Sequence, residues 1–354
     1  MATAALAQEQ SPVAYGAMTL LDIEISRATL NTQLSYLNER RAGRSWSSSG
    51  AASASLGMLG PAFAAPQEEQ ASALTTSSQR LWGGYVKGYG LLSDIDSDDA
   101  RIGIDDADTF GIQVGVDRLF GDHFLAGLMV GYSISYGDFD NDLGDIDVDT
   151  WQIGGYASMD FDRWYVDVSL TYGGSDWDTQ RNILTLGRGA DATFDGSNLT
   201  TYVGGGYRFD LPNGWTLAPT LAFVYSYFDY DGFTESGAGA ADLVVDDRDT
   251  DSLRSRLGAR LVLADLASGP TWVPDVALGW EHELEDPDDI DARFAAGGSP
   301  FSVGTGDFDG DAMYLGVGVS YLPRSNVTGS LRYEGLYGSD TSSHTLIGGI
   351  SFRF

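Results

Sequence analysis

The sequence contains no cysteine, one lysine and no long apolar run. Without cysteine among its 354 residues, the chain has neither disulfide bonds nor thiolate metal ligands. Lys87 is the single lysine and the formal net charge is -31, so the clustered cations that bind nucleic-acid phosphates are missing and we expect no nucleic-acid partner. No stretch of about 18 apolar residues is present, which excludes a transmembrane helix. Membrane-crossing strands remain possible, because their alternating pattern gives only a weak hydropathy signal.

Histidine is also scarce, and the motifs of common catalytic sites are absent. The histidines are His123, His282 and His344, and there is no Gly-x-Ser-x-Gly, His-Glu-x-x-His or phosphate-binding loop. His282 lies beside Trp280, which suits a membrane-interface position better than a general base. His344 follows two serines, so it is the residue to replace in a test for lipid or peptide hydrolysis. We therefore expect no enzyme and assign no catalytic, cofactor-binding or metal-binding residue.

One acidic segment resembles a calcium-binding loop in part. Residues Asp138 to Gly144, DFDNDLG, carry a carboxylate at every second position as an EF-hand loop does. The glycine comes one place late and the closing glutamate is missing, so the match fails. We interpret the segment as a solvated loop. Divalent ions that bridge it loosely to lipopolysaccharide remain an alternative.

The sequence does contain a repeated alternation of apolar and polar residues. In the last segment, Thr341–Phe354, apolar or small side chains occupy every second position from Leu346 to Phe354. This period predicts a strand with one apolar face. Such a face needs a covering layer in a soluble protein, whereas in a membrane β-barrel it contacts lipid.

About twelve segments show a strand-like pattern, and each exceeds the roughly nine to eleven residues that a tilted strand needs to cross a bilayer. They are Leu81–Leu92, Thr109–Leu119, His123–Tyr136, Val148–Phe161, Arg163–Asp176, Leu199–Asp210, Trp215–Tyr230, Ser252–Ala264, Thr271–Leu284, Ala312–Leu322, Asn326–Tyr337 and Thr341–Phe354. Short turns alternate with longer acidic connections, which is the barrel pattern of periplasmic turns and external loops. The longer connections are Ser93–Asp108, Gly137–Asp147, Trp177–Asn198, Asp231–Asp251 and Glu285–Asp311. We therefore predict an all-β fold, a transmembrane antiparallel β-barrel of about 12 strands over residues 81–354.

The region before the barrel divides into three parts. Residues 1–12 are small and polar, and we expect a disordered N-terminal remnant. Their Ala-Leu-Ala sequence resembles the end of a signal peptide without its basic start, so we expect a chain cut from a longer precursor or supplied without its export signal. Residues 43–80 are rich in Ser, Ala and Gly and are predicted to form a linker.

Residues 13–42 are predicted to form an α-helix. Apolar residues recur at three-, four- and seven-residue spacings and leave the other faces polar; they are Leu20, Ile23, Leu30, Leu34 and Leu37. Arg40 and Arg41 suit a helix C-terminus, and Gly43 suits its cap. A surface helix of a soluble domain would show this pattern too. With a barrel downstream, we favour a helix inside the water-filled lumen.

This order of helix, linker and strands resembles the translocator domain of classical (type V) autotransporters, over about residues 13 to 354. The matching stretches are Leu30–Arg41, Trp82–Gly90 and Ser351–Phe354. The resemblance implies that the helix threads the pore and joins an N-terminal passenger, exported to the cell surface, to the barrel. It also implies that the barrel-assembly machinery recognises the C-terminal Phe354. We expect a monomer in the outer membrane of a Gram-negative bacterium, in contact with lipid and lipopolysaccharide.

Three points separate this chain from that family or leave alternatives open. Almost no passenger precedes residue 13, so we expect the cargo to be missing or never present. A stand-alone porin or surface antigen with a helix plug is the alternative function. Some family members cut the helix by asparagine chemistry, but Asn31 and Asn38 are not in an Asn-Asn pair, so we assign no cleavage.

Several charged residues fall on the inward positions of the later strands. They are Arg254, Arg256, Arg260, Asp275, Glu281, Glu283, Arg332 and Glu334. A barrel of about twelve strands has room for a polar lumen and one helix. We predict that these residues form ion pairs in the lumen instead of a substrate site.

Overall fold

The computed structural model describes residues 12–52, 81–96, 103–263, 271–285, 288–303, 305, 310–323, 326–339 and 341–354. Twelve antiparallel strands form one closed barrel, because β1 pairs with both β2 and β12 and each other strand pairs with its two neighbours. The strands are β1 (Trp82–Ile95), β2 (Ile104–Phe120), β3 (Phe124–Phe139), β4 (Gly144–Asp160), β5 (Trp164–Ile183), β6 (Arg188–Tyr207), β7 (Trp215–Tyr230), β8 (Arg248–Leu263), β9 (Thr271–Glu283), β10 (Asp311–Leu322), β11 (Val327–Tyr337) and β12 (Thr341–Arg353). The predicted fold class and strand number are confirmed.

The alternation of the strands places apolar side chains on the outside of the barrel. In β3, Leu128 is 66% exposed, whereas its neighbours Leu125 and Met129 are buried against the lumen. Val130 and Tyr132 continue the same outward row. Successive side chains of a strand point to opposite faces, so a single strand has both a lipid-facing side and a lumen-facing side.

Towards the end of the barrel with the long connections the alternation continues, but there the polar side chains point outward and the apolar side chains point into the lumen. In β5, Asp176 and Asp178 point outward while Trp177 between them is fully buried inside. β6 behaves alike, with Phe194 buried. The predicted loop Trp177–Asn198 is therefore wrong for most of its length, since β5 and β6 extend through it. Above the bilayer the outer wall contacts water, so polar residues face out and apolar residues fill the interior.

The long connections also form a cap over this end. Two of them, predicted as loops Asp231–Asp251 and Glu285–Asp311, contribute the strands of a separate four-stranded sheet. Its strands are Phe233–Thr234, Leu243–Val245, Ile290–Phe294 and Phe301–Val303. Short 3-10 turns lie at Asp140–Asp142, Pro212–Gly214 and Gly239–Ala241, and the two-residue strand Phe209–Asp210 pairs with the start of β7. Parts of both acidic connections therefore form strands, where external loops were predicted.

The helix α1 (Met18–Ala52) follows a 3-10 turn, Pro12–Ala17, and runs through the lumen. At about 1.5 Å per residue its 35 residues span roughly 50 Å. From Tyr15 to Arg41 every residue except Leu34 and Asn38 is buried, so barrel wall surrounds the helix on all sides and the predicted lumen position is confirmed.

The predicted helix end is wrong, because α1 continues through Gly43 to Ala52. Burial of its earlier turns by the barrel stabilises α1, and glycine is tolerated within a helix at a cost of about 1 kcal/mol. The expected N-terminal remnant, up to residue 11, and linker residues 53–80 lie outside the described residues. Among the described residues, no helix is long and apolar enough to cross a membrane.

Four apolar clusters hold α1 in place, and the two outermost lie near the ends of its buried length. At the capped end, Tyr15, Leu21 and Ile25 pack in a core with Trp177 and Phe228. Near the other end, the rings of Tyr36, Tyr85 and Tyr156 contact one another, with centroids 4.2 Å apart for Tyr36 and Tyr85. The Tyr85 ring lies over Gly115 of β2, where a Cβ atom would stand 2.2 Å from Tyr85 Cε1. A glycine at that position is needed for the close approach.

Candidate functional site: the helix-filled lumen

The turns of α1 around Tyr36 to Arg41 are bound to the barrel wall by charged groups. Arg40 Nη2 lies 2.6 Å from Asp117 Oδ1 of β2, and Tyr36 donates a hydrogen bond to the same carboxylate. Arg41 Nη1 lies 2.6 Å from Asp167 Oδ1 of β5, and its guanidinium stacks 4.1 Å above the Tyr165 ring. All these charges are buried, and charge-assisted hydrogen bonds are the strong ones in proteins. They determine the depth at which α1 rests.

A third contact at this level involves Glu39. Its Oε1 atom lies 2.5 Å from Lys87 Nζ of β1, and its Oε2 atom accepts a hydrogen bond of 3.1 Å from Ser351 Oγ of β12. Glu39, Arg40 and Arg41 are consecutive, so one helical turn reaches β1, β2, β5 and β12.

In the middle of the lumen one carboxylate meets three guanidinium groups. Glu281 of β9 lies 2.6 Å from Arg27 of α1, 2.7 Å from Arg256 and 3.7 Å from Arg254, both of β8. Arg27 also pairs with Glu24 one turn earlier in α1. Glu281 therefore links the helix to two neighbouring strands.

Four of the remaining predicted lumen charges, Arg260, Asp275, Arg332 and Glu334, lie closer than Glu281 to the end with the short turns. Asp275 pairs with Arg260 at 2.8 Å and with Arg332 at 2.7 Å. Glu334 contacts Arg332 at 2.5 Å and accepts a hydrogen bond from Tyr314. The predicted ion pairs are thus confirmed. Glu283, which was predicted with them, accepts hydrogen bonds from Ser252 Oγ and the Leu253 amide at 2.7 Å each.

Sequence reasoning did not identify the wall residues that bind Glu39, Arg40 and Arg41 of the helix. They are Lys87, Asp117 and Asp167, and each is a charged residue at an inward position in the half of a strand nearest the short turns. The signal available in the sequence was that position together with the charged Glu-Arg-Arg sequence of the predicted helix.

A cavity of about 100 Å³ remains between α1 and the wall formed by β5 to β11. Polar and charged side chains line it, among them Asn31, Asn38, Arg256 and Arg332. Asn31 Oδ1 accepts a hydrogen bond from Arg256 at 3.3 Å, and Asn38 Oδ1 accepts one from Arg41 at 2.7 Å. The space is large enough to hold water and borders charged groups, whereas the capped half of the lumen is packed with apolar side chains.

The capped end holds the start of the helix with a buried polar cluster. Tyr15 donates a 2.6 Å hydrogen bond to Glu235, which Arg181 binds through Nε at 2.8 Å and Nη2 at 2.5 Å. Burial, with the nearby Glu235 charge, raises the pKa of the Tyr15 hydroxyl well above its usual value, so Tyr15 remains a donor. Tyr230 binds Asp22 of α1 nearby at 2.8 Å. These contacts close the capped end of the lumen around the start of α1 and the 3-10 turn before it.

The three histidines lie outside the lumen and far apart. His123 contacts the Asp160 carbonyl at 2.8 Å at a short turn. His282 stacks on Trp280 and contacts Asp311 at 2.9 Å on the outer face, and His344 contacts the Tyr333 hydroxyl at 2.7 Å. Among the described residues, no group of three or more His, Asp or Glu side chains has the geometry to hold a metal ion.

A twelve-stranded barrel around one helix matches a known family. A family model described as autotransporter beta-domain matches residues 84–334. The chain belongs to this family. Esterase EstA of Pseudomonas aeruginosa is 26% identical over 188 residues, which cover 51% of this chain and 28% of EstA. The chain thus spans less than a third of that curated relative.

Solved autotransporter domains share the fold. The translocator domain of NalP from Neisseria meningitidis covers 92% of this chain and 99% of its own, with a TM-score of 0.63 and 16% identity. The beta domain of the Bordetella autotransporter BrkA covers 77% of this chain and 100% of its own, with a TM-score of 0.60 and 21% identity. These identities show the fold alone. With the family match over residues 84–334, they make this chain an autotransporter translocator barrel with one helix in its lumen.

Proposed function

We propose that this domain exports an N-terminal passenger across the outer membrane of a Gram-negative bacterium and anchors it at the cell surface. The direction of α1 carries the proposal. Arg41 lies at the level of the short turns, where β1 begins, and Tyr15 lies under the cap at the opposite end. Short turns face the periplasm in outer-membrane barrels, so a polypeptide joined before Pro12 would emerge outside the cell.

The surface of the barrel supports a seat in the outer membrane. Apolar residues cover the outside of every strand between the turns and the acidic outer region, as Leu128, Phe110 and Leu257 illustrate. Lipid hydrocarbon is the partner that makes such a face favourable. We propose that the carboxylates above it, such as Asp147 and Asp178 on adjacent strands, meet the lipopolysaccharide layer.

The end of β12 supports recognition by the barrel-assembly machinery. The Phe354 side chain is exposed, and its backbone forms two 3.0 Å hydrogen bonds with Trp82 at the start of β1. The aromatic ring is therefore accessible at the rim even in the closed barrel. We propose that the closed barrel acts as a monomer, because all twelve strands are paired within one chain.

Export is tested with an epitope-tagged folded reporter fused before Met1, behind a signal peptide, in a Gram-negative host. We expect protease added to intact cells to remove the epitope while the barrel stays protected. The matched control replaces Phe354 with Asp, which should prevent assembly and leave the epitope protected. An epitope that becomes accessible only after the outer membrane is permeabilised would contradict the proposal and favour a stand-alone barrel.

A further inference from the structure

The barrel closes where β12 meets β1, and a row of three residues crosses this seam on the lumen side. Lys87 of β1 lies opposite Gly349 of β12, which lies opposite Ser330 of β11. Paired residues of neighbouring strands point to the same face of a sheet. The row therefore runs across three strands, with β12 in the middle.

The Lys87 side chain extends along this row. Its Nζ atom donates a 2.7 Å hydrogen bond to Ser330 Oγ, so it passes over β12 to reach β11. Gly349 provides the space for this path, because a Cβ atom there would stand 2.6 Å from Lys87 Cγ and 2.4 Å from the Val86 carbonyl oxygen. One lysine thus spans the closing seam from β1 to β11.

The carboxylate in contact with Lys87 comes from the helix. Glu39 lies 2.5 Å from Lys87 Nζ with one oxygen, and with the other it accepts a hydrogen bond from Ser351 of β12. Lys87 is 1% exposed and Glu39 is 7% exposed. An ammonium group at so little exposure is strongly unfavourable without its counter-charge. With α1 in the lumen, a buried Lys87 is therefore compatible with a closed seam only when Glu39 supplies its charge.

We propose that Lys87 is a positioning residue that couples the seating of α1 to the stability of the β1–β12 seam. Before α1 is seated the lumen is open to water, so the Lys87 ammonium is hydrated there and no side chain of α1 joins the two seam strands. When α1 reaches its resting depth it buries Lys87, and the Glu39 carboxylate neutralises Lys87 and binds Ser351, which holds β1 and β12 together. The coupling follows from the contacts alone, whereas its place at the end of export rests on the proposed function.

The test uses disulfide formation across the seam in the full chain. Val86→Cys with Ile350→Cys places two thiols directly opposite each other on β1 and β12. The chain has no other cysteine, so each disulfide reports on one strand pair. Val114→Cys with Val130→Cys, opposite each other on β2 and β3, is the matched control away from the seam. Each pair is oxidised in detergent just below the unfolding temperature, with and without Glu39→Gln.

We expect Glu39→Gln to lower the disulfide yield at the seam severalfold and to leave the control pair unchanged. Adding Lys87→Met to Glu39→Gln should restore the yield, because the buried ammonium is then gone. Loss of packing alone would not give this recovery. Ser351→Ala, which keeps the charge pair and removes one hydrogen bond to Glu39, should give a smaller loss at the seam.

Equal losses at both strand pairs, no loss at either, or no recovery in the double variant would each overturn the proposal. If Glu39→Gln does not fold, Ser351→Ala replaces it, and an unchanged seam yield there would overturn the proposal as well. The readout needs no passenger. A failure of surface export and a failure of this coupling are therefore distinguished by independent measurements.

Discussion

Replacing Glu281 with Gln tests how strongly the lumen charges hold the helix. The substitution keeps the shape of the side chain and removes the charge that faces Arg27, Arg254 and Arg256. Arg27 retains Glu24, whereas the two arginines of β8 lose the carboxylate they share. The side chain is 3% exposed, so water compensates little for the loss.

The expected effect is large. Removing one partner of a buried ion pair costs about 3–5 kcal/mol, because the other charge stays buried without compensation. This corresponds to a fall in the folded-to-unfolded ratio of about a hundredfold to more than a thousandfold. The measurement is equilibrium unfolding in denaturant, with the protein in detergent micelles and intrinsic tryptophan fluorescence as the signal. The midpoint should fall while the slope stays constant.

Asp311→Asn is the matched control. Asp311 lies on the neighbouring strand β10 and pairs with His282, but its side chain is 67% exposed. An exposed pair of this kind contributes about 1 kcal/mol or less. If Glu281→Gln costs no more than Asp311→Asn, the lumen is wet enough to screen its charges and the reasoning from buried ion pairs fails.

Four further predictions concern the packing of the wall, its lipid face, the plug and the outer loops. Gly115→Val should lower the unfolding temperature in detergent, because its side chain needs the space that the Tyr85 ring occupies; an unchanged temperature would refute the packing argument. Leu128→Arg, at mid-height on the lipid face, should reduce stability in bilayers by about 2–4 kcal/mol, with Leu128→Ala as the control for lost packing. The chain without residues 1–45 should conduct ions in planar bilayers, whereas the full chain should not; equal conductance would mean that α1 does not block the pore. If divalent ions bridge the outer loop to lipopolysaccharide, calcium-dependent stability should disappear on substitution of Asp138, Asp140 and Asp142 by Asn, and persistence of that dependence would dismiss the bridge.

The interior of the barrel shows why the sequence predicts contacts between consecutive strands but not those between segments far apart in the chain. The inward charges of β8 and β9 were predicted as ion pairs from parity alone, since Arg256 and Glu281 sit on adjacent strands joined by one turn. Lys87 and Ser351 are far apart in the sequence, and their approach depends on the closure of β1 on β12. The rotation and depth of α1 then bring Glu39 to both. Such contacts follow from register across the closing seam, which no local pattern encodes.

The sequence by itself determined the strand number, the lipid-facing row of several strands and the presence of a helix, because each depends on a local period of two or of about 3.6 residues. Tertiary structure decided where the strands end and what the long connections become. Asp176, Trp177 and Asp178 keep the period of a strand, but here the polar side chains point outward and the apolar one points inward. Which face of such a segment is the outer one therefore depends on whether lipid or water lies outside the barrel. The position of the membrane along the barrel axis is set by the closed wall as a whole, and no single segment of the sequence determines it.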